Sequence, residues 1–295
     1  MATKRTPPEI SSVPYRSPAD APFGVEVMSF ARLRDMGPRS RRAAPQRPQF
    51  HVLGVIDRGV GHHTVDCERH ALGPGSVLWL RPGQVHQFDG VEEVQGTLVL
   101  FQPDFLAPGT LAQAAAEDTF GPTRWQQSAA DRPLAALALD HLSREYADGE
   151  DDPFATRVEL LRHLLAALVL RLLSGAGLAP RRGGAADDDT FRRFRQKVER
   201  DFARHRKVAH YARELGYAPR TLSRATLAEA GVGAKEFIDQ RVVLEAKRLL
   251  VHGELPAARC ATELGFDDAA NFAKFFQRHT GHSPGAFRAL TRPGE

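Results

Sequence analysis

Two short runs of residues carry matching side-chain chemistry at an offset of 50, position 270 answering position 220. Arg220, Thr221, Ser223 and Arg224 in the first run correspond to Ala270, Asn271, Ala273 and Lys274 in the second, with Ala269 just ahead. A long cationic donor therefore recurs at one place, as Arg224 and Lys274, among small or hydroxyl-bearing neighbours. On a helix, residues three and four apart share a face. Positions 220, 223 and 224, like 270, 273 and 274, then look outward together, with Thr221 and Asn271 at the border. Such a face suits base edges in a major groove. Arg or Lys can donate to guanine O6 and N7, Asn can pair with adenine N6 and N7, and small side chains admit a thymine methyl. The same donors could instead hold phosphates, which position a protein without reading sequence.

The elements that must position these residues are themselves repeated. Ala212-Arg213-Glu214-Leu215-Gly216-Tyr217 recurs as Ala261-Thr262-Glu263-Leu264-Gly265-Phe266, and Leu222, Gly231 and Phe237 recur as Phe272, Gly281 and Phe287. Each copy reads as helix, Leu-Gly-aromatic turn, helix, which is a helix-turn-helix pattern. The first offset is 49 and the later ones 50, so one extra residue lies in the second turn. Pro219 suits the first turn of one outward-facing helix, and Asp267 or Asp268 suits the N-cap of the other. Between the copies, Ala234 to Val251 carries helical apolar spacing. Eighteen residues at about 1.5 Å each span roughly 27 Å, against the roughly 34 Å between successive major-groove faces. The plain alternative is a pair of helical hairpins with no nucleic-acid role. Charge weighs against it: residues 190–295 hold 20 basic and 12 acidic side chains, a balance of +8, whereas residues 1–189 balance at −4.

The stretch from Ala209 to Arg288 resembles the C-terminal DNA-binding domain of AraC-type transcriptional regulators. The landmarks come in order: Leu215-Gly216, the run Thr221-Leu222-Ser223-Arg224, Leu244 to Leu250, Glu263 to Phe276, and Thr280 to Arg288. The resemblance implies sequence-specific binding to double-stranded DNA by both units. It also shows departures, since Thr226 stands where the family usually has an aromatic and Leu227 where it has a basic residue. The first unit is accordingly expected to have the lighter core and the less basic edge.

Upstream, Gly and Pro cut the chain into short apolar runs, Phe50–Ile56, His63–Cys67, Val77–Leu80 and Thr97–Phe101, the spacing of a small antiparallel barrel. Gly75-Ser76, Arg81-Pro82-Gly83 and then His86 resemble the second motif of the cupin-like sensing domains common in that family. His51, His63, Trp79 and His86 are the expected effector-pocket residues. Adjacent His62 and His63 point to opposite faces of a strand, so the first cupin metal motif is missing and neither a metal nor another cofactor is expected.

Two amphipathic stretches follow, one from Asp131 and one over Phe154 to Leu173 that is apolar on more than one face and is expected to bury both, against the barrel and a second subunit.

The expected fold class is therefore α+β: a flexible arm over 1–22, a cupin-like sensing and dimerisation domain over 23–173, a linker over 174–189, and a double helix-turn-helix domain over 190–295. Thr190 is expected to cap a helix running from Phe191 to His205. With 42% hydrophobic residues the chain can bury a sizeable core, and charges interrupt its longest apolar stretch, so no membrane span is expected. Two distant cysteines offer no disulfide framework, and a reducing cytoplasm is the expected location. HExxH, GxSxG, Walker and CxxC patterns are missing, so no catalytic residue is assigned and an enzyme is not expected. Three readings stand: a ligand-responsive regulator acting as a homodimer, a DNA-binding protein whose barrel only dimerises, and, least supported, a cupin metalloenzyme with an accessory DNA-binding domain.

Overall fold

Turn residues and alternation shape the first half. The computed structural model describes residues 10–19, 21–113, 116, 118–148, 153–174, 185–253 and 255–291. Its strands are β1 (Ser11–Val13), β2 (Val25–Ser29), β3 (Gln46–Pro48), β4 (His51–Arg58), β5 (Gly61–Val65), β6 (Glu68–Leu72), β7 (Ser76–Leu80), β8 (His86–Gly90), β9 (Gln95–Phe101) and β10 (Arg124–Gln126). Short helices α1 (Phe30–Asp35), α2 (Arg39–Ala43) and α3 (Pro108–Gln113) sit in the connections. Two five-stranded sheets result, in the orders β1-β3-β8-β5-β6 and β10-β7-β4-β9-β2. Pairing is antiparallel except for β1 beside β3.

Strand alternation sends the central sheet's side chains to two different cores. Val52, Leu78, Leu80 and Leu98 meet Val65, Leu72 and Phe88 of the opposite sheet. Leu53, Val77, Trp79, Val99 and Phe101 point the other way, onto the helices α4 (Arg132–Asp148) and α5 (Phe154–Ser174) through Leu139, Leu142, Leu161, Leu165 and Leu168. Trp125 fastens this layer by donating its indole N–H to the Leu172 carbonyl at 3.2 Å.

The chain divides into two compact units, Ile10–Pro180 and Arg181–Glu295. The second is all-helical: α6 (Ala185–Asp201), α7 (Val208–Leu215), α8 (Pro219–Ala230), α9 (Ala234–Val251), α10 (Ala257–Glu263), α11 (Ala269–Thr280) and α12 (Pro284–Thr291). Phe194, Tyr211, Leu222, Phe237, Leu264, Phe272 and Phe276 form its core. The molecule is α+β. Among the described residues no helix is long and apolar enough to cross a membrane.

Several boundaries differ from the sequence reading. Within the expected flexible arm, Ser11–Val13 pairs with Gln46–Pro48, and Tyr15 meets Phe50 edge-on at 5.6 Å. A three-residue strand is too short to show a period. The expected linker falls largely on residues 175–184, outside the described residues, while Ser174 ends α5 and Ala185–Asp189 already belong to α6. Thr190 is therefore buried inside that helix and caps nothing. Asp189 pairs with Arg192 one turn on, an interaction that supports helix where composition suggested loop. The helix also stops at Asp201, short of His205. Finally, α5 buries one side within this chain, whereas Leu160 and Leu170 remain exposed.

Candidate nucleic-acid interface and sensing core

The two helix-turn-helix units agree in detail. Helices α8 and α11 have twelve residues each, and both end on a left-handed glycine, Gly231 at φ 72° and Gly281 at φ 76°. Gly216 (φ 72°) and Gly265 (φ 65°) take the same conformation in the turns, where glycine avoids the Cβ penalty. The extra residue lies between turn and second helix: Tyr217-Ala218 precedes α8 and Phe266-Asp267-Asp268 precedes α11.

In the recognition helices the structure leaves Arg220, Arg224, Ala270, Asn271 and Lys274 exposed and Thr221, Ser223, Ala269 and Ala273 half-buried. Inward, α11 buries Phe272 and Phe276 completely, and the half-buried Phe275 packs on Phe266 with ring centres 5.1 Å apart. In α8 the corresponding wall is Leu222, Ala225 and Thr226. Thr226 is fully buried and donates its hydroxyl to the Leu222 carbonyl at 2.7 Å, so a polar group sits there without an unmet hydrogen bond. Leu227 next to it is 59% exposed, an apolar edge on the first unit.

One detail qualifies the second unit. Asp268 caps α11 by accepting from the Asn271 backbone N–H at 2.7 Å, and its other oxygen accepts from the Asn271 side-chain amide at 2.8 Å. That bond uses one of the two amide hydrogens, and the other, with Oδ1, keeps the donor–acceptor pair that adenine would need. Asp268 was one of the two N-cap candidates visible in the sequence.

Both units hang on α9, which is braced by buried charges. Arg241 donates to Glu199 of α6 at 2.7 Å and to Glu245 at 3.2 Å, and Arg248 donates to Glu245 at 3.1 Å. Arg241 also lies over the Phe202 ring at 3.9 Å. From the other end, the Arg288 Nε–H donates to the Leu250 carbonyl at 2.9 Å, tying α12 to the end of α9.

The four expected pocket residues are all buried, but they do not come together. His63 and His86 lie between the sheets, their ring nitrogens 3.1 Å apart, beside Phe88. His51 and Trp79 lie on the helix side of the central sheet, where Trp79 donates its indole N–H to His51 Nδ1 at 3.2 Å and His51 stacks on Phe101 at 4.7 Å. Burial, helped by the Arg81 charge, pushes the His51 pKa down to about 3. Burial and the neighbouring His86 hold His63 well below the usual histidine range. Both rings are therefore neutral at physiological pH. Among the described residues no group of three or more His, Cys, Asp or Glu converges as a metal site.

On the outer side of α4 and α5, Leu134, Leu137, Ala138 and Leu164 line an open groove of about 310 Å³. Leu137 is 66% exposed there. Periodicity identified the helices but could not tell which apolar face the chain itself would cover.

Residues 27–168 match the family model described as the AraC-like ligand binding domain, and residues 211–290 match one described as a helix-turn-helix domain. The chain is 24% identical over 242 residues to the HTH-type transcriptional activator RhaS of Salmonella arizonae, covering 80% of this chain and 84% of that protein. Among solved structures it is similar to ToxT from Vibrio cholerae, with a TM-score of 0.41 at 14% identity over 92% of this chain and 98% of that one. The C-terminal domain of AraT, a response regulator from Geobacillus stearothermophilus, gives a TM-score of 0.34 at 27% identity over 36% of this chain and 88% of that one.

Proposed function

The chain is an AraC-type transcriptional regulator with an N-terminal sensing domain, and from that premise we propose that it acts in the cytoplasm as a homodimeric activator without catalytic activity. Each protomer reads duplex DNA through α8 and α11. Arg224 and Lys274 are the principal base-edge donors, and Arg220, Thr221, Ser223, Ala269, Ala270, Asn271 and Ala273 shape the approach. The observation that supports this most directly is the register of the two helices: equal length, equal glycine caps, and an exposed cation at the same position of each.

A small-molecule effector acts by favouring one arrangement of the sensing domain over another, because a ligand shifts an equilibrium only by its differential affinity. The exposed leucines of α4 and α5 are the surface through which two copies associate, since a contiguous apolar patch at that site needs a cover. Sedimentation of the full chain tests the dimer: Leu137→Glu converts it to a monomer if the groove is the interface. Footprinting on DNA upstream of neighbouring genes tests the regulator. Protection of two adjacent major-groove segments per protomer is the expected pattern, and protection without sequence preference would refute it.

A further inference from the structure

Beside the central sheet, the first turns of α4 leave a second opening, a cleft of about 350 Å³. Its apolar floor includes Val55 of β4 and Leu139 of α4, and six polar side chains, Asp57, Thr97, Gln127, Arg132, Asp140 and Ser143, reach its wall. Three of these are committed elsewhere, Ser143 by donating its hydroxyl to the Leu139 carbonyl at 2.7 Å. Arg132 donates to the Pro74 carbonyl at 3.1 Å and lies across Gly75, where a Cβ would fall 2.3 Å from its Nε. Asp140 pairs with Arg144 at 3.0 Å.

Of the remaining three, Gln127 and Asp57 carry the amide and the carboxylate. Gln127 is only 5% exposed and is anchored by its backbone N–H to the Gly75 carbonyl at 2.9 Å, yet its amide nitrogen makes no hydrogen bond. A buried donor left unmet is costly and rare in native structures. Asp57 forms no ion pair or hydrogen bond, and burial pushes its pKa up against the opposing charge of Arg58. A carboxylate that makes no ion pair, an unmet amide donor and an apolar floor in one cleft define a complementary molecule.

We propose that this cleft is the effector site and takes a small organic cation that also carries an amide or carbonyl oxygen. Its ammonium sits against Asp57, its oxygen accepts from the Gln127 amide, and its hydrocarbon part covers Val55 and Leu139. This assignment rests on the regulator reading and extends it by naming the ligand's chemistry. The site also suits a sensor mechanically. A molecule wedged between β4 and α4 biases the position of α4, and α4 carries Leu134 and Leu137 of the outer groove. Phe50 and Phe88, by contrast, belong to the core cluster between the sheets.

The test uses the full chain with L-leucinamide as probe and L-leucine and N-acetyl-L-leucinamide as controls. The first control adds a carboxylate where Asp57 would repel it, and the second lacks the cation. Calorimetry is expected to show L-leucinamide binding about tenfold or more tightly than either control. Asp57→Asn, at an exposed position of the rim, should weaken it by a similar factor. Ala136→Phe, which fills the cleft from the exposed side of α4, should abolish it, with unchanged melting temperatures marking both variants as folded. Equal binding of the three probes, or binding indifferent to both substitutions, overturns the site. Binding that leaves operator affinity unchanged overturns its role as effector site. Operator affinity without any probe, read in the same titrations, tests DNA recognition separately, so the two failures are distinguishable.

Discussion

The duplicated turn offers an internally controlled experiment. Gly216 and Gly265 hold the same place in the two units and the same left-handed conformation. Alanine at either must adopt positive φ, at a cost of about 1–2 kcal/mol. At Gly216 nothing lies within 4 Å of the added Cβ, so Gly216→Ala should lose about that amount and no more. At Gly265 the Cβ would fall 2.2 Å from the Ala203 carbonyl oxygen in the α6–α7 connection. The backbone there must retreat by about 1 Å to restore van der Waals contact. That connection is held to the turn by Arg206, which donates to the Gly265 carbonyl at 3.0 Å. Gly265→Ala should therefore lose about 3 kcal/mol or more. At about 4 °C per kcal/mol, the lower end for a domain of this size, the expected shifts are about 4–8 °C and at least about 12 °C. Helical circular dichroism of the full chain measures the loss. Tryptophan fluorescence serves as the reference, because Trp79 and Trp125 both belong to the sheet-containing unit. Equal losses at the two glycines, or a larger one at Gly216, would refute the packing argument.

Other outcomes follow from the same structure. Arg224→Ala and Lys274→Ala should each weaken specific DNA binding by about 1–3 kcal/mol, measured against random DNA at fixed salt; equal losses on both DNAs would make them phosphate contacts. Glu245→Ala removes the carboxylate facing the buried Arg241 and Arg248 and should cost about 3 kcal/mol in urea unfolding. A loss below about 1 kcal/mol would show that those guanidinium groups are satisfied without it. His51 titrates at about 3 when folded and near 6.5 when unfolded. The unfolded chain then takes up the proton first, and stability falls as pH drops from 6.5 toward 3, by roughly 5 kcal/mol over the whole window. Trp79 fluorescence should report this acid transition, and His51→Gln should flatten it; an unchanged pH profile in that variant would exclude His51 as its origin.

What could be read from the residues alone tracks how far each signal extends. The helix-turn-helix units were legible because Leu-Gly turns, phenylalanine spacing and duplication reinforce one another over some eighty positions, and β4, β7 and β9 because their apolar runs are long and cleanly punctuated. Strands β1, β3 and β10 have three residues each and no period to detect. The polar run Glu68-Arg69-His70 hides β6. The histidines illustrate a different limit. Alternation tells which neighbours share a face, but only the pairing of sheets and helices decides that His63 and His86 meet between the sheets while His51 lies beside Trp79 and Phe101 on the other side. The unmet amide of Gln127 was invisible for the same reason, since nothing local distinguishes a satisfied glutamine from an orphaned one.

The unequal helix starts give the two copies different electrical characters. Ala218 offers α8 no side-chain cap, so the positive end of that helix dipole stays open to an incoming phosphate oxygen. Asp268 already neutralises the corresponding end of α11 with a carboxylate of its own. An anion of any source is therefore held better at the start of the first copy's helix than at the second's, although the two helices match in length and in their closing glycines.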